Sequence, residues 1–201
     1  MKKKLQILTA VLVILNFSSA KAYAQVTKTD KSSLLFMYEE EKLARDVYSA
    51  MSEKYTLPIF RNISKSENYH MSLIEDLIKK YNINNPASNK PKGEFINKDL
   101  QKLYNDLVNK GSISLNDAFE VGATIEDVDI HDLKKYVSKT ENTDITRVFK
   151  QLTCGSRNHM RAFTRQINFT GITYKPQFIS QNEYDKIING KHERCFYIYN
   201  N

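Results

Sequence analysis

Apolar residues recur at steps of three and four along most of the chain, which is the spacing of amphipathic helices. The four long helices are predicted over about 30–55 and 59–81, from Ser114 onward, and from about 142 to Gly171. A stretch rich in Asn, Pro, Lys and Gly over 82–97 predicts a long loop, and a short amphipathic helix follows it and stops at Gly111. This order predicts an all-α protein, a four-helix bundle whose long crossover contains a short extra helix.

Each predicted long helix carries acidic or imidazole side chains on its otherwise apolar face. These residues are Glu41, then Glu67 with His70, then Glu126 with Asp129, and finally His159. Burying such groups is costly unless something compensates their charge. Carboxylates and imidazoles together are ligands for iron, manganese or zinc. All six residues are therefore candidate metal ligands.

The spacing of Glu67 and His70 places both side chains on one helix face, one turn apart, where they can reach the same ion. Bundles that bind two metals use one Glu from each of two helices and an E-x-x-H pair from each of the other two. His159 fits the His of a second pair, but Ser156 stands where the Glu of that pair is expected. Asp129, on the third long helix, is the candidate replacement.

Several segments carry a resemblance to a known family. They are EEEKLARDVYSAM, SENYHMSLIEDLI, LQKLYNDLVNKGSISLNDAFEVGATIEDVDIHDL, GSRNHMRAF and YKPQFISQNEYDKIING. Together, from about Leu34 to Gly190, they resemble the bacterial and archaeal family known as domain of unknown function 2202, which is assigned to the ferritin-like superfamily. The stretch from Glu41 to Tyr48 also resembles the first metal helix of rubrerythrins.

The resemblance implies a ferritin-like bundle with a di-metal centre, and it implies no particular reaction. We expect two iron ions, with manganese or zinc as alternatives, and an oxidase, ferroxidase or peroxide-reducing activity with O2 or peroxide as oxidant. Ser156, being small, would leave a coordination position open for the oxidant. Two rival hypotheses remain at this point: metal binding without turnover, and a metal-free helical scaffold.

The first residues predict an export signal, with three lysines, an apolar run too short to span a membrane, and an A-x-A site ending at Ala24. The predicted organisation is a signal peptide over 1–24, a bundle over 25–171 and a tail over 172–201 packed on it. We expect export to the periplasm or the medium, with no stable membrane anchor after cleavage. The chain holds 30 basic and 23 acidic residues. Four of the lysines lie in the signal, so the mature protein is only mildly basic, and nucleic-acid binding is excluded from our expectations.

Other features leave alternatives open. Cys154 and Cys195 either pair in an oxidising compartment or stay as two buried thiols. Glu39 and Glu40 are predicted on a solvated face, although a register slip of one residue would let either replace Glu41. Tyr48 and Tyr69 are interpreted as core residues or as partners that orient the metal ligands. The sequence does not decide whether the protein forms a homodimer.

Overall fold

The computed structural model describes residues 26–195 and is all-helical over that range, which confirms the predicted class. The helices are α1 (Lys28–Tyr55), α2 (Pro58–Lys80), α3 (Lys98–Gly111), α4 (Leu115–Val137), α5 (Thr143–Phe169) and α6 (Gln181–Ile188). The predicted signal peptide over 1–24 lies outside the described residues. No helix within the described range is both long enough and apolar enough to cross a membrane.

Local signals explain where the helices begin. Ser114 caps α4 and Ser180 caps α6, as their sequence spacing predicts, by accepting a hydrogen bond from the backbone N–H three residues on. At α1 the hydroxyl of Thr27 and the carboxylate of Asp30 form a full capping box. Pro58, which the sequence suggests only as a breaker, is the first residue of α2, where its missing N–H costs nothing.

The bundle is built from two helix pairs. The most extensive packing is between α1 and α2 and between α4 and α5, and contacts of α1 with α4 and of α2 with α5 join the pairs. A two-residue connection makes α1 and α2 antiparallel neighbours. The crossover after α2 leads into α3, which packs on both α1 and α4. The four long helices therefore enclose one interior, with α3 as a cover on one side.

The apolar core is divided into two clusters along the bundle axis. One surrounds Tyr48, Phe60 and Phe163, and the other surrounds Ile74 and Phe149. On α1, α2 and α5 the polar residues of the candidate site fall between the residues of one cluster and those of the other. On α4, Glu126 and Asp129 follow most of the first cluster and lie about one to two turns before Leu133 of the second. The bundle therefore has a polar layer near its middle, sealed by apolar side chains above and below.

Glu39 and Glu40 are not on a solvated face, and that prediction was wrong. They are 7% and 5% exposed, because α3 and the crossover cover the third side of α1. The carboxylate of Glu39 accepts hydrogen bonds from the backbone N–H groups of Ile96 and Asn97, immediately before α3. Its neighbour Glu40 has both carboxyl oxygens buried without a hydrogen-bond partner among the described residues.

A group of hydrogen bonds and a disulfide are among the contacts that hold the chain after α5 against the bundle. The buried carboxylate of Asp127, on α4, accepts hydrogen bonds from the Tyr174 hydroxyl and from the backbone N–H groups of Gln177, Phe178 and Ile179. Farther on, a disulfide joins Cys154 to Cys195, so the paired alternative holds. The hydrogen bonds to Asp127 hold this segment against α4, and the disulfide holds it against α5.

Candidate metal centre

Four helices bring the predicted ligands into the polar layer. Glu41 comes from α1, Glu67 and His70 from α2, Glu126 and Asp129 from α4, and Ser156 and His159 from α5. All except His159 are at most 5% exposed as residues. The side chain of His159 is 12% exposed, and it is the part of the layer nearest to solvent. The bundle thus gathers every residue that the sequence singled out.

Two overlapping sets of ligand atoms form within this layer. In the first, Nδ1 of His70 lies 3.1 Å from Oε2 of Glu41 and 2.7 Å from Oε2 of Glu67. In the second, Nδ1 of His159 lies 2.8 Å from Oε1 of Glu67 and 3.5 Å from Oε2 of Glu126. Within each set the ligand atoms are all within 4.8 Å of one another. Each set offers two carboxylates and one imidazole to a single ion.

Glu67 belongs to both sets and divides its oxygens between them. Its Oε2 faces His70 and its Oε1 faces His159, and the two imidazole rings stack with centroids 5.7 Å apart. A carboxylate that presents one oxygen to each of two adjacent sets is placed to bridge two ions. The E-x-x-H spacing on α2 produces this arrangement, since it puts Glu67 one turn from His70.

Several of these atoms are buried without a hydrogen-bond partner among the described residues. They are Oε1 of Glu41, Oε1 of Glu67, Oδ1 of Asp129 and Nδ1 of His159. The Glu67 and His159 atoms are only 2.8 Å apart, yet they are not aligned for a hydrogen bond. Unpaired buried polar atoms are costly, and a cation between several that converge on one space would compensate that cost. The donor set of oxygens and imidazole nitrogens fits iron or manganese.

Neighbouring groups orient the ligands. The Tyr48 hydroxyl donates a hydrogen bond of 2.5 Å to Oε1 of Glu126, which leaves Oε2 of that carboxylate facing His159. The second ring nitrogen of His159 lies 3.1 Å from the Ser66 hydroxyl. Such contacts fix ring and carboxylate orientation in metal sites. Of the two tyrosines considered from the sequence, Tyr48 makes such a contact, whereas Tyr69 is 40% exposed at the surface.

The pKa shifts of the candidate ligands indicate that the polar layer holds more carboxylates than its two imidazoles can neutralise. Burial raises the pKa of Glu41 to about 8, although His70 opposes the shift. Burial also raises the pKa of Glu67, but the two imidazoles outweigh it and hold that pKa below its ordinary value. Burial lowers the pKa of His159, yet Glu67 and Glu126 raise it to about 10. Without metal, the two imidazolium groups supply the charge that cations would supply.

Asp129 is in the layer but outside both sets. Its Oδ2 accepts a short hydrogen bond from the Ser156 hydroxyl, and burial beside Glu41 and Glu126 raises its pKa well above the ordinary value. Asp129 is therefore hydrogen-bonded to Ser156, the residue that stands where the Glu of a second E-x-x-H pair would be. The proposal that Asp129 replaces this Glu stays a prediction.

Two residues shape the layer beyond the six predicted ligands: Gly155, which sequence reasoning missed, and Glu40, which it considered only as a substitute for Glu41. Gly155 lies against the imidazole of His70, and a Cβ there would fall 2.6 Å from its Nε2. Glu40 lies beside Asp129, and burial followed by that charge raises its pKa well above the ordinary value. The glycine next to Ser156 in the GSRNH segment is a signal for close approach. Nothing in the sequence separates Glu40 from a surface glutamate.

Comparison with known proteins places the chain in a family. Residues 30–191 match the family described as "Uncharacterized protein domain (DUF2202)". The chain belongs to the DUF2202 family. It is 48% identical over 181 residues to the uncharacterized protein MJ0754 of Methanocaldococcus jannaschii, with 90% of this chain and 98% of that protein covered.

A solved structure agrees with the fold of this DUF2202 protein. The crystal structure of hypothetical protein MJ0754 from Methanococcus jannaschii superposes with a TM-score of 0.82 at 49% identity, covering 84% of this chain and 96% of that one. The resemblance seen in the sequence is thus confirmed at the level of the DUF2202 family. The wider assignment to the ferritin-like superfamily stays a prediction.

Proposed function

We propose that this DUF2202 protein is an exported, ferritin-like protein that binds two metal ions, iron in its working form, in the polar layer. The observation that carries the proposal is Glu67, whose two oxygens face two different imidazoles at 2.7 and 2.8 Å. Two ferrous ions held there would supply the electrons that reduce dioxygen to peroxide or peroxide to water. We infer an oxidase, ferroxidase or peroxide-reducing activity.

The protein also provides the further ligands, the exclusion of water and the access route that this function needs. Glu41, His70, Glu126 and His159 are held by four different helices, so the site is assembled only when the bundle is folded. The apolar clusters on either side exclude water from the layer. His159, with the most exposed side chain of the candidate ligands, marks the side from which a small oxidant would enter.

Export is supported by a second observation within the described residues. Disulfides form and persist in oxidising compartments, and Cys154 is joined to Cys195. We propose cleavage after Ala24, so that the mature protein begins at Gln25. Mass spectrometry of protein recovered from outside the cytoplasm tests this. A mass corresponding to the intact N-terminus would contradict it.

Metal binding without turnover is a second candidate. The observation that favours it is the pair of Ser156 and Asp129: a serine stands where a second E-x-x-H would have its glutamate, and its hydroxyl binds the carboxylate of Asp129. Iron that binds but does not react with dioxygen would support this candidate over the first.

Dioxygen consumption after anaerobic loading with ferrous iron tests the main proposal. The wild-type mature protein should consume dioxygen, and Glu67→Gln should abolish it, because an amide replaces the shared carboxylate. Glu75→Gln is the matched control: it makes the same change on the same helix, at a surface glutamate that is in neither ligand set, and it should keep the activity. Equal consumption by Glu67→Gln and wild type, beyond that of free iron, would contradict the proposal.

A further inference from the structure

A groove lies on the outside of α5, between its C-terminal half and the segment that follows α6. It has a volume of about 740 Å³, within the range of sites that hold small organic molecules. Its lining includes His159, Arg161, Arg165, Phe169, Ile188 and His192. We call this cavity the α5 groove. It is separate from the polar layer, and the two share only His159.

The wall of the α5 groove opposite α5 is formed by residues 188–192, and hydrogen bonds and a disulfide hold this segment against α5. The Arg161 guanidinium donates hydrogen bonds to the carbonyl oxygen of Ile187 (3.0 Å) and to the Asn158 side chain (2.6 Å). Asn158 in turn binds the backbone of Glu193 through both its side-chain atoms. The disulfide from Cys154 ties the same segment one turn earlier on α5. The groove is therefore formed before any ligand binds, which reduces the entropy lost on binding.

The lining combines positive charge with apolar surface. Arg165 is exposed and makes no ion pair with any residue within 26–195, whereas Arg161 is already paired with Glu193. His192 adds an exposed imidazole, and no carboxylate of the described residues lines the groove. Phe169 is 80% exposed and presents its ring there, together with Ile188. Such a lining suits a molecule with an anionic group and an apolar body.

The position of His159 connects the groove with the polar layer. Nδ1 of this residue lies 2.8 Å from Glu67, while the same side chain forms part of the groove lining. A molecule bound in the groove would be separated from the shared carboxylate by one imidazole ring. Binding to the groove itself requires no metal.

We propose that the α5 groove is a binding site for a small organic carboxylate with an aromatic or aliphatic body. Arg165 binds the anionic group, because guanidinium matches a carboxylate with two parallel hydrogen bonds. Phe169 and Ile188 contact the apolar body. This site goes beyond the proposed redox function, since it assigns a ligand class to a surface outside the metal layer.

Three probes titrated into the metal-free mature protein, with its disulfide intact, test the proposal. Benzoate has the anion and the ring, benzyl alcohol has only the ring, and inorganic phosphate has only the charge. We expect benzoate to bind in the millimolar range and to shift backbone NMR signals of residues 158–169 and 188–192. The other two probes should bind more weakly. Absence of benzoate binding, or equal binding of benzyl alcohol, would overturn the proposal.

Variants locate the binding. Arg165→Ala should weaken benzoate about tenfold, the scale expected for losing a charged hydrogen bond. Phe169→Ala should weaken benzoate but leave phosphate unchanged. Arg147→Ala is the matched control, because Arg147 is an exposed arginine 18 residues earlier on α5, about 27 Å away along the helix. Equal affinities of Arg165→Ala and Arg147→Ala would show that Arg165 does not bind the ligand.

Discussion

Gly155 and His70 are in direct contact across the α2–α5 interface, and the contact leaves no room for a methyl group. A Cβ on Gly155 would fall 2.6 Å from both Cε1 and Nε2 of the imidazole. His70 is held from its other side by Glu41 and Glu67. The absence of a side chain at one position thus sets where a candidate metal ligand lies.

Gly155→Ala should therefore displace His70 and weaken iron binding about tenfold or more, the scale seen when the neighbours of metal ligands are altered. Overpacking costs about 1–3 kcal/mol, and the better helix propensity of Ala offsets up to about 1 kcal/mol of it. Metal affinity by competition with a chelator is the informative measurement. Lys150→Ala, an exposed position on the same helix, is the control. Unchanged affinity in Gly155→Ala would show that the contact does not position His70.

The stability of the metal-free protein should fall as the pH rises from about 5 to 10. The pKa of Glu41 is raised from 4.5 to about 8, and that of His159 from 6.5 to about 10, so the folded state binds more protons than the unfolded state in this window. The contribution of Glu41 and His159 to the free energy of unfolding is complete below their pKa values in the unfolded chain. It is lost as the pH rises through their pKa values in the folded protein. Thermal unfolding at several pH values checks the sign.

The Glu41→Gln variant and the iron-loaded protein should each show a different dependence of stability on pH. Glu41→Gln should remove the part of the slope that lies between about pH 4.5 and 8. Iron-loaded protein should gain stability over metal-free protein as pH rises, because metal ligands bind in their deprotonated forms. A metal-free protein whose melting temperature rises steadily from pH 5 to 9 would contradict the electrostatic account.

Asp127→Ala should release the segment after α5 and destabilise the protein by about 3 kcal/mol or more. The substitution removes the acceptor of two buried donors, the Tyr174 hydroxyl and the Ile179 N–H, and each unsatisfied buried donor costs about 1–3 kcal/mol. The N–H groups of Gln177 and Phe178 also lose their acceptor, but they are partly exposed and cost less. Urea unfolding measures the loss. Asp132→Ala on the same helix removes a surface ion pair with Lys135, and it should cost less than about 1 kcal/mol. Similar losses in both variants would contradict this role of Asp127.

The sequence predicted the helices well, because their apolar stripes and caps are local signals. It placed α1 at about 30–55, and the helix is Lys28–Tyr55, two residues longer because of the Thr27 cap. It failed at Glu39 and Glu40, since burial of α1's third face depends on α3 and the crossover, which are distant in sequence. A glutamate that accepts hydrogen bonds from the backbone of a distant segment, as Glu39 does from Ile96 and Asn97, cannot be told from a surface glutamate by sequence alone.

In the polar layer, too, the sequence predicts which residues face the core but does not predict the contacts between helices. The residues on the core stripes are predictable from spacing, and the fold brings all of them together. The division of Glu67 between two imidazoles depends on side-chain geometry across helices, and the pairing of Asp129 with Ser156 depends on the angle between α4 and α5. Periodicity along one helix carries no information on either.

The central claim is that the polar layer binds two metal ions through Glu67. Elemental analysis of the mature protein, loaded with ferrous iron without oxygen and then desalted, tests it most directly. We predict about two irons per chain for wild type, as in two-metal bundles with this ligand pattern, and a clear loss in Glu67→Gln with its helix content intact. A folded wild-type protein that retains no iron, or a Glu67→Gln variant that retains as much as wild type, would contradict the claim.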